Sequence, residues 1–124
     1  MKNKKILIAD DEPYILRSLS FVLKKEGFDV DTATNGDEVL EKVSRFKPKI
    51  LFLDVMMPEK DGYEVCKQLK SNDATRDIYI IMLTARGQII DKKKGMESGA
   101  DEYITKPFSP RQIVSKVKNI LKSL

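Results

Sequence analysis

Five times along this chain a short apolar run is followed by a stretch with helical spacing, and that alternation limits the fold more than any other feature. The strand-like runs are residues 5–9, 28–32, 50–53, 78–83 and the pair Tyr103-Ile104. Residues 13–26 carry Ile15, Leu16, Leu19, Val22 and Leu23 at i, i+1, i+4, i+7 and i+8, the spacing of one helix face. Pro13 suits the first turn and Gly27 a C-terminal stop. A second helix opens at Asn35 or Gly36, carries Val39, Leu40, Val43 and Phe46, and ends before Pro48. Val65, Cys66 and Leu69 mark a third, ending near Ser71. Residues 88–98 read as a weak helix, with Ile89, Ile90 and Met96 as its large apolar residues, Gly95 inside it and Gly99 closing it. Residues 109–124 form a strong helix with Ile113, Val114, Val117, Ile120, Leu121 and Leu124 on one face.

Strand–helix alternation on this scale predicts an α/β fold, a parallel sheet with helices on both faces. The 124 residues suit one domain, 1–124, with no linker or repeat. The runs 50–53 and 78–83 are continuously apolar, as strands buried on both faces are. Residues 28–32 alternate and Tyr103-Ile104 is half polar, which places those two at the edges. Edges at the second and fifth strands agree with a five-stranded order 2-1-3-4-5, in which ligands bind at the carboxyl ends of the strands, near the switch between the first and third.

Composition then removes whole classes of chemistry. There is no histidine, so His-based acid–base catalysis, Ser-His-Asp and Cys-His triads and His-containing zinc sites are excluded. The single cysteine, Cys66, excludes an internal disulfide and reads as a small core residue. No apolar run approaches the roughly 18 residues of a membrane span. The N-terminal apolar stretch is too short for a signal peptide and acids follow it at once, so a cytoplasmic protein is expected. The net charge is +4, but the lysines are spread along the chain, and Lys92, Lys93 and Lys94 read as a solvated face. Direct nucleic-acid binding and membrane binding are not expected.

Placed on this frame, the polar residues converge. Asp10 and Asp11 end the first strand, Asp54 the third and Thr84 the fourth, and Lys106 follows the fifth. Each has an ordinary role taken singly, since Asp favours turns and caps and a lysine is usually solvated. Together at one sheet edge they make a set: three carboxylates, a hydroxyl and an ammonium. Clustered carboxylates raise one another's pKa unless a cation intervenes, and a hard, oxygen-seeking ion such as Mg2+ fits. Phosphoryl transfer to a carboxylate needs such a set, with metal and lysine neutralising the moving group and a nucleophile already ionised at neutral pH.

The motifs Ile-Leu-Ile-Ala-Asp10-Asp11-Glu12-Pro13, Leu53-Asp54-Val-Met-Met-Pro58-Glu-Lys-Asp-Gly62, Leu83-Thr84-Ala85-Arg86-Gly87 and Tyr103-Ile-Thr-Lys106-Pro107-Phe108 resemble, in order and over essentially the whole chain, a response-regulator receiver domain. The resemblance implies a doubly wound, flavodoxin-like (βα)5 fold. It implies Asp54 as phosphoacceptor from a histidine kinase or phosphotransfer protein. Mg2+ would be held by Asp10, Asp11, Asp54 and the Met56 backbone carbonyl. Thr84 and Lys106 would contact phosphoryl oxygens, Tyr103 would be an aromatic switch, and the Lys106–Pro107 peptide would be cis. The motif style is nearest to receivers of winged-helix transcription factors. It implies a phosphorylation-dependent homodimer through the 88–98 helix, the fifth strand and the C-terminal helix. Lys92 and Glu102 would stand on one side of that contact and Lys116 and Lys118 on the other, opposite charges meeting, with Gln112 where the family usually has an acid to meet Lys92.

The expected protein is a signalling module rather than an enzyme. An aspartate-nucleophile Mg2+ phosphatase is a rival, but Asp10 and Glu12 fit its nucleophile-and-acid spacing poorly and no cap domain is visible. A docking-only receiver is a second rival, opposed by the intact Asp10, Asp11, Asp54, Thr84 and Lys106. No output segment is visible after Leu124. The resemblance implies that the positions two beyond Asp54 and Thr84 line the path of an attacking water; Met56 and Arg86 stand there, so a long-lived phosphoryl group is expected. The weak 88–98 segment is the expected mobile element.

Overall fold

The three continuously apolar or near-apolar runs become the three central strands. In the computed structural model, which describes residues 4–85 and 97–123, the elements are β1 (Lys5–Ala9), α1 (Pro13–Lys25), β2 (Asp29–Ala33), α2 (Gly36–Phe46), β3 (Ile50–Asp54), α3 (Gly62–Lys70), β4 (Tyr79–Thr84), β5 (Glu102–Thr105) and α4 (Pro110–Ser123). All strand pairs are parallel, in the order β2-β1-β3-β4-β5. The expected edges and centre are therefore observed. Most of the helix expected over 88–98 lies outside the described residues. Its last two positions, 97 and 98, are helical.

Strand alternation divides the core into two layers. Leu7, Leu51, Leu53, Ile80 and Met82 meet Val39 and Val43 of α2 and Val65 and Leu69 of α3. Ile6, Ile8, Ile50, Phe52, Ile81 and Leu83 meet Ile15, Leu19 and Leu23 of α1 and Ile113, Val117 and Ile120 of α4. Full burial of each such side chain stabilises the fold by about 1.5–3 kcal/mol. Cys66 is in the first layer, and burial pushes its thiol up to about 11, in keeping with an inert core residue.

Two helices start on side-chain caps: Asn35 Oδ1 accepts the Glu38 N–H and Asp61 Oδ1 the Glu64 N–H, both at 2.9 Å. The cap position of α1 holds Glu12, whose side chain makes no cap bond. The apolar pattern stops short of two strands. β3 and β4 continue through Asp54 and Thr84, which stay buried and extend the ladder. Among the described residues no helix is long and apolar enough to cross a membrane.

Candidate phosphoacceptor site

The parallel register delivers the acids side by side. Ala9 pairs with Leu53, so the next residues, Asp10 and Asp54, leave neighbouring strands together. Both are buried, at 0% and 4% exposure, which for carboxylates demands compensation. Backbone donors supply part of it. The Glu12 N–H donates to Asp10 Oδ1 at 2.9 Å, and the Met56 N–H donates to Asp54 Oδ1 at 3.1 Å.

The turn after Asp54 is held by Gly62 at the start of α3. The Gly62 N–H donates to the Val55 carbonyl at 2.8 Å. A Cβ there would lie 2.4 Å from the Asp54 carbonyl oxygen, so only glycine allows the approach.

Lys106 enters from the far side of the sheet. Its N–H donates to the Thr84 carbonyl at 2.6 Å, and its bond to Pro107 is cis, as expected. The ammonium lies 2.7 Å from Asp10 Oδ2, 3.2 Å from Glu12 Oε1 and 3.6 Å from Asp54 Oδ2. Burial works against its charge, but Asp10, Asp54 and Glu12 outweigh burial and hold Lys106 above the usual lysine range. Asp54 moves the other way for a carboxylate. Burial, then the Asp10 charge, push it up to about 7, against the pull of Lys106 and the Met56 N–H.

The donor set suits a hard divalent cation. One carboxylate oxygen each from Asp10, Asp11 and Glu12 lie within 4.8 Å of one another. Asp10 Oδ2 is buried with no hydrogen-bond donor of proper geometry; its 2.7 Å contact with Lys106 is ionic. Two buried carboxylates that share one ammonium, one of them of raised pKa, are a place where oxygen-ligated Mg2+ relieves charge.

The other expected residues are less closely joined to the acids. Asp11 is exposed at the rim. The Met56 side chain points outward, 64% exposed, leaving only its backbone at the site. Thr84 is buried, opposite Thr105, but its hydroxyl donates to the Ile104 carbonyl at 3.5 Å rather than to a site carboxylate. Tyr103 is half-buried and packed inward on the α2–α3 layer, its hydroxyl enclosed near Ser98, Tyr63 and Cys66, and burial raises its phenol. Thr84 and Tyr103 share one sheet face, because Tyr103 pairs with Met82, two residues before Thr84.

Sequence reasoning missed Glu12 as a partner of Lys106. Its signal was a glutamate at a helix cap position, where Ser, Thr, Asp and Asn are preferred. Three charges assigned to a dimer contact, Glu102, Lys116 and Lys118, are taken up within the chain. Glu102 pairs with Lys116 and accepts from the Tyr79 hydroxyl at 3.0 Å, while Lys118 pairs with Glu26 of the α1 end. Lys92 and Arg86 lie outside the described residues.

The family model described as response regulator receiver domain matches residues 6–118. The alkaline phosphatase synthesis transcriptional regulatory protein PhoP of Bacillus subtilis is 49% identical over 120 residues, covering 97% of this chain and 49% of PhoP. The transcriptional regulatory protein ResD of the same organism is 46% identical over 118 residues, covering 95% of this chain and 48% of ResD. The chain therefore spans about half the length of these curated relatives. The crystal structure of the receiver domain of a signal transduction histidine kinase from Syntrophus aciditrophicus superimposes with a TM-score of 0.88 at 35% identity, covering 98% of this chain and 92% of that one.

Proposed function

The chain belongs to the response regulator receiver domain family of two-component systems, and we propose that it accepts a phosphoryl group on Asp54 from the phosphohistidine of a partner kinase or phosphotransfer protein. The observation that carries this reading is the buried Asp54 beside buried Asp10, both within 3.6 Å of one ammonium. These 124 residues hold no histidine, so the donor lies outside them.

In the proposed step an Asp54 carboxylate oxygen attacks phosphorus, a P–O bond forms, and the P–N bond breaks with its electron pair returning to the donor imidazole. Asp10, Asp11, Asp54 and the Met56 carbonyl would hold Mg2+, which supplies positive charge against the transferred group. Lys106 neutralises a phosphoryl oxygen from the side opposite the turn. Thr84 gives up its long contact with the Ile104 carbonyl to donate to another. Tyr103, already inward and on the same face, follows Thr84 as the two-state element.

The protein modifies itself once per activation, so we assign it a signalling role in the cytoplasm, the receiver spanning 1–124, and not that of an enzyme. Transcription-factor relatives make paired copies across β5 and α4 a further reading. It requires the in-chain Lys116–Glu102 contact to be exchanged for one between copies. Sedimentation with and without beryllofluoride tests it, and a monomer in both states at high concentration ends it.

Incubation with acetyl phosphate and Mg2+, followed by intact mass, tests the main reading. A single added phosphoryl group, absent in Asp54→Asn, is expected. Turnover of acetyl phosphate without an adduct favours the phosphatase instead. An adduct that persists in Asp54→Asn removes the assignment.

A further inference from the structure

Glu12 stands at the cap of α1 but does no capping; its side chain turns to the site instead. There it pairs with the Lys106 ammonium at 3.2 Å, closer than Asp54 at 3.6 Å. The Tyr14 hydroxyl and the Lys106 ammonium together draw its carboxyl below the usual range. Its backbone N–H meanwhile fixes Asp10 Oδ1. One residue thus orients the first acid with its main chain and shares the lysine with its side chain.

We propose that Glu12 is a positioning residue for Lys106, parking the ammonium on the α1 side of the resting site and competing with the phosphoryl group for it. The inference rests on the phosphoacceptor reading above. A phosphoryl oxygen on Asp54 draws Lys106 toward β3, against its contacts with Asp10 at 2.7 Å and Glu12 at 3.2 Å; of these two acids, Glu12 is the one on α1's cap rather than on the sheet edge. Glu12 therefore favours the resting state by the amount it prefers Lys106 in its parked position, since a group shifts an equilibrium only by its differential interaction with the two states.

The test is beryllofluoride affinity at saturating Mg2+, with Mg2+ binding measured separately by calorimetry for each variant. Glu12→Gln keeps the side-chain length and the backbone bond to Asp10 and removes the charge. Tighter beryllofluoride binding by about two- to fivefold is expected, the scale of a half-exposed ion pair. Removing a negative charge also eases any anion into the site, so the same substitution is made in Lys106→Ala, titrated to higher beryllofluoride. The gain should vanish there, because no ammonium remains to be released. An equal gain in both backgrounds overturns the positioning role, as does unchanged affinity in Glu12→Gln alone. Glu12→Asp, which keeps the charge but shortens its reach, should fall between wild type and Glu12→Gln; a value at or beyond Glu12→Gln also counts against the proposal. If wild type takes neither beryllofluoride nor a phosphoryl group, the parent reading fails and this one with it, whereas normal wild-type acceptance with no Glu12 effect removes this inference alone.

Discussion

Lys70 and Lys106 lie at similar depth, with side chains 18% and 11% exposed, and each faces aspartate, yet their surroundings are built on different terms. Lys70 is saturated. Its ammonium donates to the Arg76 carbonyl at 3.0 Å, the Ile78 carbonyl at 2.7 Å and Asp101 Oδ2 at 2.8 Å, and that oxygen also accepts the Ile80 N–H at 2.8 Å. One positive charge meets one negative charge, and the cluster ties the end of α3 to the starts of β4 and β5. Lys106 faces Asp10, Glu12 and Asp54 together, with Asp11 at the rim, so the site stays short of positive charge. A balanced cluster is structure; an unbalanced one is held in place by the rest of the fold and is available for chemistry.

Removing either partner should separate the two. Asp101→Ala leaves Lys70 without its counter-ion and the Ile80 N–H without its acceptor, and should cost about 2 kcal/mol in urea unfolding, while the folded fraction still accepts a phosphoryl group. A loss below about 1 kcal/mol would show that the cluster is not a clasp.

Gly62→Ala attacks the other end, pressing a methyl group on the Asp54 carbonyl. About 2 kcal/mol of destabilisation and slower phosphoryl uptake are expected. Unchanged uptake would mean that the turn does not position Asp54.

Asp54→Asn should have the opposite sign, raising stability by about 1 kcal/mol above neutral pH by removing a buried like charge. The folded protein holds the Asp54 proton more tightly than the unfolded chain does, with a pKa of about 7 against 3.8. Wild-type stability should therefore fall as pH rises from about 4 through about 7, and gain nothing further below the lower value. The slope should flatten in Asp54→Asn and with saturating Mg2+, which also raises the thermal midpoint. A slope identical in wild type and Asp54→Asn would assign it elsewhere. The smallest effect belongs to an exposed pair. Glu41→Gln, which loses Arg45 at 3.1 Å with both side chains about two-thirds exposed, should change unfolding by less than about 0.5 kcal/mol.

The same contrast explains what the sequence reveals. Burial on both faces leaves a continuous apolar run, so β3 and β4 and their central places are legible, and with them Asp54 and Thr84 at the strand ends. Lys106 is legible because it follows a strand in a recurring motif. Glu12 is not, because its role depends on where a lysine from the other end of the chain arrives. Lys70 and Asp101 are likewise silent in the sequence, being a helix end and a loop residue joined only by tertiary packing. Thr84 is found in place, but its hydroxyl direction toward β5 is a property of one conformational state, which residue type does not encode.

The parallel register has a consequence in time. Asp10 and Asp54 belong to strands that leave the ribosome early and pair with each other directly, while Lys106 lies beyond β5. At about 5–20 residues per second, synthesis from position 54 to position 106 takes roughly 3–10 s. During those seconds the two strongest claimants on a positive charge exist in the nascent chain and their ammonium does not. Inorganic cations are the counter-ion at hand, so divalent metal should smooth the maturation of this domain as well as its chemistry.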